Sequence, residues 1–420
     1  MKTFDWDLSP PRSAPIGDHD VPEVSAHLRG KRVALLVCGG IAAMKTPLLA
    51  RALRRRGAEV VAFCSDEALH YVGREALEWS TCQPLVTALT WRAEHLSDAK
   101  PFDCYLVAPA TYNTIGKMAA GVADTVVTSA LASALGRMQQ GRTEVLVAPT
   151  MHGSMHHDVL VANCRSLAAR GVRLVTPRDD YGKHNLPDEG LLVAAVCRAL
   201  SRSPLQGKRI LVTGGPTPVP IDGVRRILNR FRGRLGACVH EELLLRGAES
   251  TFILGDGAWR PARWMPVAIA RTYDDYKAQV LEHVRRGQAA GVFSAGVADY
   301  RPAAPVEGKL RSGQASLPLE LVPTEKIIDL VRAQDPALFL VSFKYLEGVS
   351  HEDLLAEARK RLQRYPVVVA NRGEETHGVA QVSYVVTRDG EQRVEGKPAI
   401  AAAIADLLER QGLADVPPNG

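Results

Sequence analysis

The sequence predicts an α/β protein with two consecutive Rossmann-like domains, each a parallel sheet covered by helices on both faces. Two observations lead to this fold class. Short apolar runs such as Arg32–Cys38 (RVALLVC) alternate with helical stretches, as strands buried on both faces of a parallel sheet do. The pattern then starts again at Lys208–Thr213 (KRILVT), and each opening strand runs into a pair of glycines.

The first half continues the alternation of strands and helices. A helix over Ala42–Arg55 follows the pair Gly39-Gly40. Further strands are predicted at Glu59–Cys64, Asp103–Ala108, Glu144–Ala148 and Val172–Val175. Helices connect them, as parallel strands require.

The second half repeats this organisation after a short polar linker, Ser201–Gly207, which contains proline and glycine. Its further strands are predicted at Ser250–Gly255, Gly291–Ala295, Ala337–Ser342 and Val367–Ala370. Val382–Thr387 and Gln392–Val394 predict a hairpin, and Pro398–Gln411 a final amphipathic helix. The predicted organisation is a mobile Pro-rich tail over 1–28, a first domain over 29–203 and a second over 204–420.

Composition restricts the class of protein. Hydrophobic residues make up 46% and charged residues 23%, which is typical of a globular protein without membrane spans. The 7 cysteines are scattered singly without a CxxC pair, which favours reduced thiols in the cytoplasm over disulfides or structural zinc. A net charge of +6 favours anionic small molecules as partners.

Three motifs of the first half lie at the ends of predicted strands: GGIAAMK from Gly39, APATYNTIGKMAAGVAD from Ala108 and APTMHGSM from Ala148. The glycine pair alone fits a tight turn as well as a phosphate-binding loop. Together the motifs resemble the homo-oligomeric flavin-containing cysteine decarboxylases, specifically phosphopantothenoylcysteine decarboxylase, over about residues 31–200.

The resemblance implies a set of site residues. His95 lies where the family has its catalytic histidine, although a lone histidine is also an ordinary polar surface residue. An imidazole suits proton transfer while flavin oxidises the substrate thiol. The residues expected to contact FMN are Gly40, Ser65, Thr111, Asn113 and Thr114.

The sequence departs from this family pattern at two places. His152 replaces an asparagine that holds the substrate carboxylate, and we expect His152 to bind substrate by hydrogen bonding. With His156 and His157 nearby, a metal site is an alternative. Residues 176–187, where the family has a clamp with an active cysteine, contain no cysteine. The first half is therefore expected to bind FMN and to be slow, altered in substrate, or catalytically silent.

The second half contains four further motifs, which resemble phosphopantothenate–cysteine ligase in the same order. They are Thr213–Thr217 with Ile221–Asn229, Ala295–Pro302, Glu307–Arg311, and Ser342–Lys344 with Ala370-Asn371. This reaction activates a carboxylate with CTP, with Mg²⁺ on the phosphates, before the cysteine amine attacks.

The ligase resemblance also implies roles for single residues. Lys309 would stabilise charge as the acyl nucleotide forms, while Arg225 and Asn229 would handle the intermediate during attack. The residues expected at the nucleotide are Gly215, Asp299, Phe343 and Lys344.

An arginine-rich stretch, Arg230–Arg234 (RFRGR), stands where the ligases have a serine pair before a glycine. Arginine binds phosphate through paired hydrogen bonds, so this stretch favours a phosphate-bearing ligand. A solvated basic face and a nucleic-acid surface are the alternatives, and the second lacks stacking aromatics.

The sequence thus predicts a bifunctional enzyme of coenzyme A biosynthesis. Its expected partners are phosphopantothenate, cysteine and CTP, with no nucleic acid or membrane, and the resemblance implies a homo-oligomer. Two alternatives are a working ligase fused to a non-catalytic FMN-binding scaffold, and a diverged flavoprotein paralogue with another substrate. A nicotinamide dehydrogenase is disfavoured, because neither glycine turn has dinucleotide spacing.

Overall fold

A computed structural model describes residues 7–10, 15–96, 99–257, 259–304, 306–313, 315–377 and 380–415. The chain divides into two compact units, Met1–Val196 and Cys197–Gly420. No helix in the described ranges is long and apolar enough to cross a bilayer. All 7 cysteines fall within these ranges, and no disulfide joins any of them.

The first unit is built on a parallel five-stranded sheet with the strand order β2-β1-β3-β4-β6. Strand β2 therefore lies on one side of β1 and β3 on the other side. This change of direction opens a ligand crevice at the carboxyl ends of the strands. Strands β5, β7 and β8 form a separate small sheet. The strands are β1 (Arg32–Val37), β2 (Glu59–Cys64), β3 (Cys104–Ala110), β4 (Glu144–Pro149), β5 (Met151–His152), β6 (Arg173–Leu174), β7 (Arg178–Asp180) and β8 (Lys183–Asn185).

Helices connect these strands and bury one face of the sheet in a single core. Alternate residues such as Leu36 of β1, Val107 of β3 and Val147 of β4 pack with apolar side chains of α3, α4 and α5, while the intervening Leu35 is equally buried on the other face. The helices are α1 (Thr46–Arg54), α2 (Arg74–Thr81), α3 (Tyr112–Ala120), α4 (Val126–Gln139), α5 (Asp158–Ala169) and α6 (Glu189–Leu200).

The predicted N-terminal tail lies partly outside the described residues, namely 1–6 and 11–14. Its last part is held in place. The backbone amides of Val24 and Leu28 donate to the carbonyl oxygens of Arg55 and Arg56, both at 2.8 Å, and Leu28 is fully buried.

The second unit has a larger mixed sheet with the order β13-β12-β9-β14-β17-β18-β20, with β19 and β21 beside β20. The six strands from β13 to β18 are parallel, as the apolar runs predict, and the predicted hairpin extends the same sheet antiparallel. The strands are β9 (Arg209–Gly214), β10 (Val219–Pro220), β11 (Arg226–Ile227), β12 (Glu249–Gly255), β13 (Ala268–Ala270), β14 (Ala290–Phe293), β15 (Tyr300–Pro302), β16 (Leu321–Pro323), β17 (Phe339–Leu346), β18 (Val367–Arg372), β19 (Thr376–His377), β20 (Ala380–Thr387) and β21 (Gly390–Glu395).

Strand alternation also explains how this second sheet is covered. Val212 of β9 packs with α7 and α11, and its neighbour Leu211 packs with α8 and α9 on the opposite face. Helix α10 covers Val368 and neighbouring residues of β18 and β20. The helices are α7 (Arg234–Leu245), α8 (Tyr273–Arg285), α9 (Ile327–Gln334), α10 (His351–Arg361) and α11 (Lys397–Arg410).

Candidate functional site

A cavity of about 590 Å³ opens in the first unit where β1, β2, β3 and β4 end. Parallel strands end at one edge of their sheet, so motifs that are far apart in sequence meet there. The cavity is lined by all five residues expected to contact FMN and by the expected substrate residue: Gly40, Ser65, Thr111, Asn113, Thr114 and His152.

Two helices begin at this cavity with threonine caps. The Thr111 hydroxyl accepts from the Thr114 amide (3.4 Å) and lies 3.1 Å from the Thr114 hydroxyl at the start of α3. Thr125 and Thr128 form a reciprocal capping box at the start of α4. Helix N-termini attract anions through their exposed amides and the helix dipole, so this wall is suited to a phosphate.

Small residues bring the backbone close to the cavity. A Cβ atom at Gly39 would lie 2.4 Å from Cβ of Glu67, so no side chain fits there. Burial raises the pKa of the neighbouring Cys38 thiol to about 11, which keeps it protonated at neutral pH. Cys38 is therefore part of the packing beneath the cavity and not a nucleophile.

His152 presents a defined nitrogen at the cavity. Its Nδ1 accepts from the Ser154 backbone amide (3.2 Å) and lies 2.8 Å from the Ser154 hydroxyl. Because Nδ1 is used as an acceptor, the neutral imidazole carries its proton on Nε2. His152 therefore offers one N–H donor, whereas an asparagine amide would offer two.

The segment without the clamp cysteine folds as an antiparallel hairpin, β7–β8, and pairs with β5. His184 on this hairpin lines the cavity and lies opposite Met151 in the register. Its Nδ1 lies 2.6 Å from the Asp179 carboxylate, and its Nε2 lies 2.7 Å from Nδ1 of His156. Asp179, His184 and His156 thus form a hydrogen-bonded chain.

The predicted catalytic residue His95 and the alternative metal site are not found at this cavity. His95 does not line it, and the buried Nδ1 of His95 has no hydrogen-bonding partner among the described residues. Across the described ranges, no group of three or more His, Cys, Asp or Glu side chains is placed to hold a metal, His152, His156 and His157 included.

The residues of the first cavity fit FMN chemically. Its phosphate would be held by threonine hydroxyls and the amides at the starts of α3 and α4. Apolar side chains on the same walls, including Ile41, Val127 and Met155, offer contact surface for a flavin ring.

A second cavity of about 600 Å³ lies in the second unit, where β14, β17 and β18 end. Its walls are the loop before α7, the residues after β14, and side chains of β17 and β18. They include Arg230–Gly236, Ser294–Gly296, Phe343, Tyr345, Asn371, Gln381 and Lys397.

This cavity is rich in cations. Arg230 donates to the Tyr345 hydroxyl (2.6 Å) and pairs with Glu347, whereas Arg232 and Arg234 have no ion pair with an acidic residue among the described positions. Burial lowers the pKa of Lys397, and the nearby Arg234 also lowers it. Arg232 and Arg234, which lie beside the N-terminus of α7, are suited to a polyphosphate.

Glycines allow three chain segments to meet beside the second cavity. Gly215 has a left-handed φ of 75°, and a Cβ at Gly233 would lie 2.7 Å from its nitrogen. A Cβ at Gly255 would lie 1.5 Å from the carbonyl oxygen of Pro216. Side chains at these positions would separate β9, β12 and the start of α7.

The predicted nucleotide residues occupy different places around this cavity. Phe343 lines it, while Lys344 projects from the other face of β17 with Nζ 3.8 Å from Glu357, as strand alternation dictates. Asn229, which was expected to handle the intermediate, does not line this cavity, but it donates at 2.8 Å to the carbonyl oxygen of Gly296, which does. Asp299 is exposed and forms an ion pair with Lys326.

Arg225 and the loop containing Lys309 are held together by Asp222. Its carboxylate accepts from the backbone amides of Val224 (2.8 Å), Arg225 (2.6 Å) and Leu310 (3.1 Å), and from the Arg225 guanidinium. Burial alone would raise the pKa of Asp222, but these hydrogen bonds lower it to about 2.

The structure adds residues that sequence reasoning missed: Lys183 and His184 in the first cavity, and Tyr345, Gln381 and Lys397 in the second. Tyr345 could have been found from the period of a strand, because it lies two positions after Phe343 on the same face. The others lie on the β7–β8 hairpin, on β20 and at the start of α11, and no sequence motif indicates that these positions reach a cavity.

Comparison with known proteins identifies both units. Residues 22–201 match the family model described as Flavoprotein, and residues 205–411 match the DNA/pantothenate metabolism flavoprotein C-terminal domain.

Several curated relatives match across both units, and each is described as the coenzyme A biosynthesis bifunctional protein CoaBC. The protein of Thermococcus kodakarensis is 37% identical over 354 residues, which cover 83% of this chain and 86% of the relative. That of Mycolicibacterium smegmatis is 31% identical over 80% of this chain and 84% of its own. That of Methanocaldococcus jannaschii is 26% identical over 91% and 94%.

Proposed function

Because this chain belongs to the CoaBC family of bifunctional coenzyme A biosynthesis proteins, we propose that its units catalyse two reactions of that pathway. The second unit ligates cysteine to 4′-phosphopantothenate with CTP. The first unit decarboxylates the resulting phosphopantothenoylcysteine to phosphopantetheine with FMN. The observation that supports this most directly is the meeting of Gly40, Ser65, Thr111, Asn113, Thr114 and His152 in one cavity.

In the first unit, bound FMN would supply the two-electron oxidation of the substrate thiol that makes loss of carbon dioxide easy, and would return the two electrons afterwards, so that the product is again a thiol. The Nε2–H of His152 would hold the substrate carboxylate until it leaves. The carbon that loses carbon dioxide then needs a proton. The hydrogen-bonded chain Asp179–His184–His156 lies beside the cavity and would deliver one through an imidazole nitrogen.

In the second unit, Arg232 and Arg234 would bind the triphosphate of CTP together with Mg²⁺. The phosphopantothenate carboxylate attacks the α-phosphate, pyrophosphate leaves, and Lys309 stabilises the developing charge. The cysteine amine then attacks the acyl carbon and releases CMP. Arg225 would hold the intermediate during this step.

One pair of variants tests both reactions in the same full-length protein. Asn113→Ala removes an exposed cavity side chain and is expected to weaken FMN binding about tenfold while pyrophosphate release continues. Lys309→Gln is expected to lower pyrophosphate release about 100-fold while the flavin absorbance and carbon dioxide release are retained. Each variant is the control for the other, and Lys360→Gln on the exposed face of α10 is the control for loss of a lysine.

The assays also separate the alternatives. Ligation and a flavin spectrum without carbon dioxide release would indicate a working ligase fused to an FMN-binding scaffold. Failure of the wild-type protein to release pyrophosphate with CTP, phosphopantothenate and cysteine would overturn the ligase proposal. Loss of both activities in either variant would show that the two units do not act separately.

A further inference from the structure

Asp222 is a buried carboxylate that the proposed reactions leave without a role. None of its side-chain surface is exposed. It belongs to the 221–225 segment, which contains the predicted ligase residue Arg225, and it contacts the 306–310 segment, which contains Lys309. Because burial of a charge is costly unless it is fully hydrogen-bonded, its position suggests a function beyond local packing.

The two segments run side by side. Three backbone amides donate hydrogen bonds between them, from Val306 N–H to the Ile221 carbonyl (3.0 Å), from Gly223 N–H to the Gly308 carbonyl (2.6 Å), and from Leu310 N–H to the Asp222 carboxylate (3.1 Å). Lys309 is therefore flanked on both sides by residues that are bound to the other segment.

The two segments approach each other so closely at Gly223 that no side chain fits there. A Cβ atom at this position would lie 2.8 Å from the Gly308 carbonyl oxygen, closer than real Cβ contacts. The backbone of both segments is thus in direct contact next to Lys309, and Asp222 adds the buried anchor at the end of that contact.

Asp222 also orients the Arg225 guanidinium. Nη1 of Arg225 donates to Asp222 Oδ2 at 2.5 Å and to the Leu310 carbonyl at 3.4 Å. Among the described residues, Nε and Nη2 of Arg225 make no hydrogen bond. The edge of the guanidinium that is not used by Asp222 is therefore open to an anionic ligand.

We propose that Asp222 is the positioning residue of the ligation reaction, which holds Arg225 and Lys309 in one fixed arrangement around the acyl-nucleotide intermediate. This proposal rests on the proposed ligase function. Asp222 itself does not touch the substrate. It acts through Arg225 and through the backbone on both sides of Lys309, so its loss affects the reaction more than CTP binding.

Asp222→Asn in the full-length protein tests this, since the amide keeps one acceptor oxygen and loses the charge. We expect kcat for pyrophosphate release to fall about 100-fold, because a misplacement of about 1 Å costs that much. The KM for CTP should stay within about twofold, since the cations of the CTP cavity are untouched. Tryptic cleavage after Lys309 is measured by mass spectrometry on the protein without substrates. It should become faster in the variant, because the 306–310 segment loosens.

Asp335→Asn is the matched control, because Asp335 also accepts two backbone amides (3.0 Å each) but lies in the turn after α9. It should change neither readout. Gly223→Ala is a second variant that forces the segments apart and leaves Asp222 intact, and it should reproduce the loss of kcat. Wild-type kcat and wild-type cleavage in Asp222→Asn would overturn the proposal. If the wild-type protein shows no ligation, the proposed function fails, while the cleavage assay still decides whether Asp222 anchors Lys309.

Discussion

His240 links the stability of the second unit to pH. It is fully buried in α7, the helix whose first turn lines the cationic cavity. Its Nδ1 lies 2.8 Å from the Ser250 hydroxyl, and its ring stacks on Phe252 with centroids 5.4 Å apart. Burial lowers the pKa of His240 to about 4, because a charged imidazole would lose its hydration there.

The size of the effect follows from linkage. The unfolded chain binds a proton at His240 below its ordinary pKa of about 6.5, whereas the folded chain does so only near 4. The folded state is therefore destabilised as the pH falls from 6.5 towards 4, with no further loss below. The loss is about 1 kcal/mol at pH 6, about 2 kcal/mol at pH 5 and about 3 kcal/mol in full.

His240→Gln removes this titration and keeps a polar partner for Ser250. Hydrogen exchange of peptides from 234–245, measured by mass spectrometry against denaturant in the full chain, reports the unfolding free energy of this unit. The unfolding free energy of the wild type minus that of the variant should fall by about 2 kcal/mol between pH 7.5 and pH 5. The contributions of carboxylates that titrate in both proteins cancel in this difference. If the unfolding free energies of the two proteins changed with pH in parallel, a lowered pKa of His240 would be excluded.

Two further substitutions test the walls of the cavities. Gly255→Ala places a Cβ 1.5 Å from the Pro216 carbonyl oxygen, so we expect loss of ligation with FMN binding retained. Gly257→Ala, whose nearest contact is 3.6 Å, is the control and should leave both unchanged. A Gly255→Ala variant that still ligates would contradict the close packing at this position. His152→Asn keeps an N–H donor, so its rate of carbon dioxide release should stay within about tenfold of wild type, whereas the rate of His152→Leu should fall about 100-fold. Equal rates in the two variants would exclude His152 from carboxylate binding.

The strands could be predicted from the sequence because they are buried on both faces. Glu59–Cys64 has the predicted bounds, whereas the run at Val172–Val175 forms only the two-residue strand β6. The place of the hairpin Ala380–Glu395 could not be predicted, because its alternating pattern fits an isolated hairpin as well as an antiparallel extension of the parallel sheet.

The first cavity could be anticipated because its residues follow strands that end at the same edge. His184 could not, since its contact with the cavity depends on the pairing of β8 with β5. Asp222 could not be assigned a role either. Its partner Leu310 is 88 positions away, and only the folded chain shows that one carboxylate serves both segments.

Two of the three departures from the family patterns have the same physical form. At His152 an imidazole N–H would stand in for an amide, and at Arg232 a guanidinium would stand in for a serine hydroxyl. In each case a donor for an anion is retained, while a group that is charged or can become charged replaces a neutral one. We therefore expect polyphosphate binding at the second cavity to depend more strongly on salt than binding by neutral donors would.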